Sequence, residues 1–296
     1  LADALDRRGL LASIAAYTLW GVFPLYWHLL SHVPALQIIS HRIAWCALFV
    51  VIWLQVQGPR GWLRTSLARP GIARMLLASS LLIGVNWGIY IWSVTHGRVV
   101  EASLGYFINP LVNVLIGVLV LKERLNRAQQ LAVGLAATGV LWLTAWHGQP
   151  PWISLALAGS FATYGLIRKL AQVDAVPGLA IESLILLFPS LGWLLWEQAH
   201  GVGAFGGGDR TDALLIFGGA LTAVPLVGFA YGARRLPFAL VGILQYISPT
   251  LQLLCGVWLG EPFSQTQAVG FGFIWVALGL YAADGWRRAR IAASGS

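Results

Sequence analysis

Ten stretches of the chain are apolar for about the length a helix needs to cross a bilayer, roughly 20 residues. They run near 10–30, 35–57, 71–93, 99–121, 128–146, 151–170, 178–198, 212–232, 238–260 and 264–284. Hydrocarbon offers no partner to a backbone N–H or C=O, so only helices and closed barrels span it. Continuous apolar runs of this length read as helices. Composition agrees: 10% of the 296 residues are charged, against about 25% in soluble domains. Cys46 and Cys255 lie inside apolar runs, so no disulfide framework is expected.

The breaks between runs carry turn chemistry, as in "SHVP", "QGPRG", "HGQPP", "DAVPG" and "GVGAFGGGDR". The net charge of +8 is distributed among these breaks, which suits membrane orientation rather than nucleic-acid binding. With a cytoplasmic N-terminus, 16 of the 19 Lys and Arg fall on the cytoplasmic side. Arg98 and Arg210 fall outside, and Arg42 lies within a span. The C-terminus is then cytoplasmic too. The first apolar run continues into a full span, so no cleavable signal peptide is expected.

Residues 104–130, "LGYFINPLVNVLIGVLVLKERLNRAQQ", align with residues 241–267, "VGILQYISPTLQLLCGVWLGEPFSQTQ". Pro110 matches Pro249, Asn109 matches Ser248, Asn113 matches Gln252 and Gly117 matches Gly256. After a one-residue gap Glu123 matches Glu261, followed by Asn126 with Ser264 and Gln129 with Gln267. Each half then holds five spans. Five is odd, so the second half enters from the opposite side as an inverted repeat.

These paired segments resemble the EamA signature of the drug/metabolite transporter superfamily. "AAYTLWGVFPLYWHLL", "ISHRIAW" and "NWGIYIWSVTHGRVVEASLGYFINPL" are similar to its RarD-like branch. The resemblance covers nearly the whole chain. It implies ten helices, two EamA repeats and export of small metabolites or drugs from bacteria. "LKER" in the first half departs from the glycine–glutamate pair kept in "LGEP", so the first hairpin turn is expected to be built differently.

Proline removes an N–H and clashes with the carbonyl four residues earlier. Mid-span Pro110 and Pro249 are therefore expected to kink their helices and release the carbonyls of Tyr106 and Gln245 at membrane depth. Tyr106, Asn109 and Asn113 share one helical face, and Gln245, Ser248 and Gln252 repeat that spacing. Asn86 and Tyr90 add a further turn, with Trp87 beside them, and the eighth span adds Thr222, Pro225 and Tyr231; Trp20, Pro24 and Tyr17 are weaker candidates. Two readings fit the set: the lining of a central cavity, or polar glue between helices. With no carboxylate at the middle of a span, such a lining suits neutral or zwitterionic solutes, while its aromatic faces leave organic cations open.

Arg42 lies about seven residues into the second span, roughly 10 Å below its outer end. It either snorkels to the interface or pairs with Glu101. Glu182 lies near the opposite face, where Arg235 or Arg234 is the expected partner. Arg42–Glu101 and Glu182–Arg235 are thus candidate outer and inner gates.

The reading is an all-α membrane protein of ten transmembrane helices. Residues 1–147 form a first five-helix repeat, 148–286 an inverted second one around a central cavity, and 287–296 a cytoplasmic tail. The expected function is export of neutral or zwitterionic, amino-acid-like metabolites across the bacterial inner membrane by alternating access. A drug or organic-cation exporter, and a non-transporting scaffold or sensor, are the alternatives. The expected partners are a small-molecule substrate and the lipid bilayer. HExxH, GxSxG, P-loop and clustered metal-ligand motifs do not occur, so no enzyme activity, metal or cofactor is expected.

Overall fold

A computed structural model describes residues 6–122, 125–233, 235–236, 240–241 and 244–294. Among them the regular structure is helical: α1 (Arg7–His28), α2 (Ala35–Gln57), α3 (Trp62–Leu67), α4 (Ile72–Thr95), α5 (Val99–Leu121) and α6 (Arg127–His147). These are followed by α7 (Trp152–Ala171), α8 (Ala175–Ala199), α9 (Arg210–Ala233), α10 (Ile247–Trp258) and α11 (Gln265–Ser294). Among the described residues, eight helices are long and apolar enough to cross a membrane. Helix α7 is not among them, and α10 is a shorter apolar helix of 12 residues.

Local sequence explains where the helices start. The Asp6 carboxylate accepts from Arg8 N and Gly9 N and caps α1. The Asp209 carboxylate does the same for Thr211 N and Asp212 N before α9, and those N–H groups hold it below the usual carboxylate range. Asn126 and Gln129 form a reciprocal capping box at α6. Ser264 and Gln267, their aligned counterparts, form the same box at α11.

Some expectations change. The ninth predicted span, 238–260, contains the helix Ile247–Trp258, preceded by a turn at Gln245 and Tyr246. Pro249 is the third residue of that helix rather than a mid-span kink. Its missing N–H would have no intrahelical partner there, and the Gln245 carbonyl accepts from Ser248 N at 3.3 Å. Pro110 does sit inside α5. At the start of the "LKER" turn Lys122 has φ +56° where the aligned Gly260 has +91°, so both positions are left-handed. Residues 287–294 are helical and continuous with α11. Arg234 and Glu123 lie outside the described residues. The short helix α3, seated by the buried Trp62, has no counterpart among the predicted spans.

Helix α1 packs on α9 and α10, and α7 packs on α4 and α5. Helix α2 meets α8 and α9, α8 meets α4, α5 meets α10, and α6 meets α11. Glycines allow the closest approaches. A Cβ on Gly219 of α9 would lie 2.6 Å from Cys46 N of α2, and one on Gly256 of α10 would lie 3.0 Å from Val100 N of α5. Large apolar side chains such as Phe188 and Trp258 face outward, as a bilayer-embedded surface requires.

Candidate functional site

The matched helices α5 and α10 touch where Gly256 lies against Val99 and Val100. The Glu261 carboxylate fixes this end: it accepts from Val99 N at 2.5 Å and Val100 N at 2.7 Å, the first amides of α5. Toward the other end of α5 the side chains become exposed, beginning at Asn113 and continuing to Leu119 and Val120. Gln245 and Ser248 at the start of α10 are half-buried.

The expected polar residues fall into two groups. Asn86 is occupied, donating to Leu157 O at 3.0 Å and Ser160 Oγ at 2.9 Å, and so ties α4 to α7. Gln252 donates to Trp20 O and to Ser248 Oγ, both at 3.2 Å, which joins α10 to α1. Its Oε1, the Oδ1 of Asn109 and the hydroxyl of Tyr90 are buried without a protein partner. Tyr90 meets half-buried Tyr106 edge to face with centroids 5.8 Å apart, and Tyr106 meets Phe161 of α7. The structure therefore brings Tyr90 and Tyr106 together. Asn113 is exposed, apart from the buried end of its own stripe.

The expected gate pairs are not formed. Glu101 pairs with Arg98 at 2.5 Å, because a partner three residues away on the same turn needs no helix movement to reach it. Glu182 is buried and accepts from Ser79 Oγ at 2.5 Å and Tyr164 OH at 3.2 Å, with Arg168 Nε at 3.7 Å. Arg168 reaches it because Gly178 lacks a side chain: a Cβ there would overlap the guanidinium. Arg235 instead meets Asp6 at 3.4 Å and lies over the Tyr231 ring. The clue to Glu182's setting is a serine–carboxylate–arginine set spread over α4, α8 and α7, which no spacing within one helix reveals.

Arg42 is 5% exposed and does not reach an interface, so the snorkelling reading also fails. Its Nε donates to Thr222 Oγ1 of α9 at 2.8 Å. Its guanidinium carbon lies 4.3 Å from the Trp87 ring centroid and 5.4 Å from that of Trp27. Such stacking favours a cation. Nearby, Gln37 of α2 clamps the loop after α8, donating to Val202 O and accepting from Ala204 N at 2.8 Å each. That loop lays Phe205 against His41, centroids 5.0 Å apart, which makes His41 a packing residue.

A recess of about 260 Å³ is lined by Arg98, Glu101, Gln149, Trp152, Gln267 and Phe271. It shares no residue with the polar stripes. Among the described residues no group of three or more His, Cys, Asp or Glu is placed to hold a metal ion.

A bundle with an apolar exterior, long apolar helices and polar side chains in its interior defines a multi-pass membrane protein. Comparison with known proteins gives the family. Residues 7–145 match the model of the EamA-like transporter family. The chain is 45% identical to an uncharacterized transporter of Pseudomonas aeruginosa over 98% of both chains. It is 41% identical to the protein RarD of Escherichia coli K12, covering 94% of this chain and 95% of that one. A second Pseudomonas aeruginosa relative, the chloramphenicol-sensitive protein RarD, is 36% identical over 97% and 96% of the two chains. The chain belongs to the EamA-like transporter family, in its RarD-like branch. A crystallised protein of 18% identity shares the fold, with a TM-score of 0.59 over 92% of this chain and 96% of the other.

Proposed function

We propose that this chain is a secondary transporter that exports small neutral or zwitterionic, amino-acid-like metabolites across the bacterial inner membrane. It works by alternating access between two inverted five-helix halves, residues 1–147 and 148–286, with both termini cytoplasmic. The packing supports this reading. Exchange of α1, α2, α4, α5 and α6 for α7, α8, α9, α10 and α11 turns each principal helix contact into another one that is present. The aligned capping boxes at α6 and α11 support it as well.

One observation carries the proposal. Asn109 and Gln252, on the matched helices α5 and α10, each keep a buried amide oxygen without a protein partner. Buried polar atoms in folded proteins nearly always have partners, and a bound solute's donors would supply them at these two. Asn109, Tyr106, Tyr90, Ser248, Gln245 and Gln252 line the site, with Asn113 at its mouth and Asn86 holding the wall. The α5–α10 contact at Gly256 is the closed gate, and the exposed end of α5 is the open one. Glu101 with Arg98 lies at the α5 end of the closed gate, and Arg235 with Asp6 holds the start of α1.

A second reading, a drug exporter, draws on the aromatic walls and on the relative named for chloramphenicol sensitivity. Counterflow of a radiolabelled amino-acid panel and of chloramphenicol in proteoliposomes tests both. Saturable flux that Asn109→Ala and Gln252→Leu abolish is expected. Background flux across the whole panel from folded protein refutes transport of these classes.

A further inference from the structure

An arginine inside a membrane bundle needs a counter-charge, since even on insertion scales it costs about 2.5–3.5 kcal/mol at a helix centre. Among the described residues no carboxylate lies within ion-pair distance of Arg42: Glu101 is held by Arg98 and Glu182 by Arg168. Stacking on Trp87 and Trp27 and one hydrogen bond to Thr222 leave its Nη1 without an acceptor. Two more donors around the same guanidinium are in that condition. The Nε1 of Trp27, from α1, and the hydroxyl of Tyr90, from α4, are buried with no protein partner. Tyr90 and Tyr106 both lie within electrostatic reach of the Arg42 charge.

Three buried donors from three helices lack an acceptor, and because one of them is cationic an anionic acceptor suits the set best. Tyr106, edge to face with Tyr90, is half-buried rather than sealed in. We propose that Arg42, with Tyr90 and Trp27, anchors the carboxylate of the transported solute. The aromatic rings of Trp87, Tyr90, Tyr106 and Trp27 then face the solute's apolar body. This deepens the transport reading and rests on it. Within that reading it restricts the cargo: a carboxylate-bearing organic acid or zwitterion is accepted, and the matching amide or cation is not.

Bidentate, charge-assisted pairing of guanidinium with carboxylate gives both affinity and geometric selection. Loss of one charged hydrogen-bond partner predicts an affinity about tenfold to a hundredfold weaker. The test uses the purified full chain in detergent and four matched probes: phenylalanine, phenylacetate, phenylalaninamide and phenylacetamide. Thermal stabilisation is read at equal ionic strength against sodium chloride, since a ligand that binds the native state raises the melting temperature. Phenylalanine or phenylacetate is expected to stabilise and both amides not to. Arg42→Gln removes the shift, Arg42→Lys retains part of it, and Tyr90→Phe weakens binding several-fold.

The anchor is overturned if the amides match the carboxylates, if none of the four probes exceeds chloride, or if Arg42→Gln keeps the wild-type shift. Should Arg42→Gln not fold, Tyr90→Phe decides: binding unchanged from wild type overturns the anchor. Counterflow of the stabilising probe in proteoliposomes separates the two levels. Binding without flux refutes transport and leaves the anchor, whereas flux of amide and acid alike refutes the anchor alone.

Discussion

Glu261 offers the sharpest test of how α5 and α10 are held together. Its two oxygens take the amides of Val99 and Val100 at 2.5 and 2.7 Å. Both valines are buried, so water does not readily replace the carboxylate. In Glu261→Gln one oxygen remains as an acceptor, while the new NH₂ faces an N–H. One charge-assisted bond, worth about 1.5–3 kcal/mol, is lost and a buried donor is left unpaired. The charge at the helix N-terminus adds about 0.3–1 kcal/mol. The expected loss is about 2–3 kcal/mol for Glu261→Gln and about 3–4 kcal/mol for Glu261→Ala. At about 2–4 °C per kcal/mol for a chain of this class, Glu261→Gln should melt roughly 4–12 °C lower in detergent. Amide exchange should rise first at residues 99–103. A melting temperature within 1 °C of wild type, with protection at 99–103 unchanged, would refute the capping role.

Other substitutions probe separate contacts. Lys122→Gly relieves a left-handed lysine, whose strain of about 1–2 kcal/mol exceeds glycine's extra chain entropy; a net gain of about 0.5–1 kcal/mol is expected by thermal melting, and a loss would refute it. Gly219→Ala places a methyl 2.6 Å from Cys46 N, which forces α9 from α2 and should lower stability by about 1–3 kcal/mol; an unchanged melting curve contradicts that approach. Glu182→Gln leaves Arg168 without its counter-charge and should cost about 3 kcal/mol, whereas Glu182→Leu with Arg168→Met should cost less because both charges leave together. A double variant less stable than Glu182→Gln would count against a paired ion.

The helices are legible because apolar length is a property of the chain alone, and most predicted spans end within a few residues of the helices found. The asparagine and serine caps at 126 and 264 are legible too, since a capping box is local. Partner choice is not. Glu101 is taken by Arg98, which the chain places one turn away, and Glu182 by Arg168, which the α7–α8 turn returns to it. Neither outcome follows from the depth of Arg42. The left-handed backbone at Lys122 is not legible, because residue identity argues for glycine at such a position. The place of Pro249 in the first turn of α10 is not legible, because that helix begins at Ile247 inside an apolar run whose hydropathy does not mark the start.

Alternating access is tested most directly by two spin-label distances in one protein. With buried Cys46 and Cys255 changed to serine, labels at His96 and Trp258 report the end where Gly256 meets α5. Labels at Lys122 and Arg235, both exposed, report the opposite end. On addition of a solute that shows flux, the first distance should lengthen in a population whose second distance shortens. Two distances that stay fixed during turnover, or that widen together, would contradict the account.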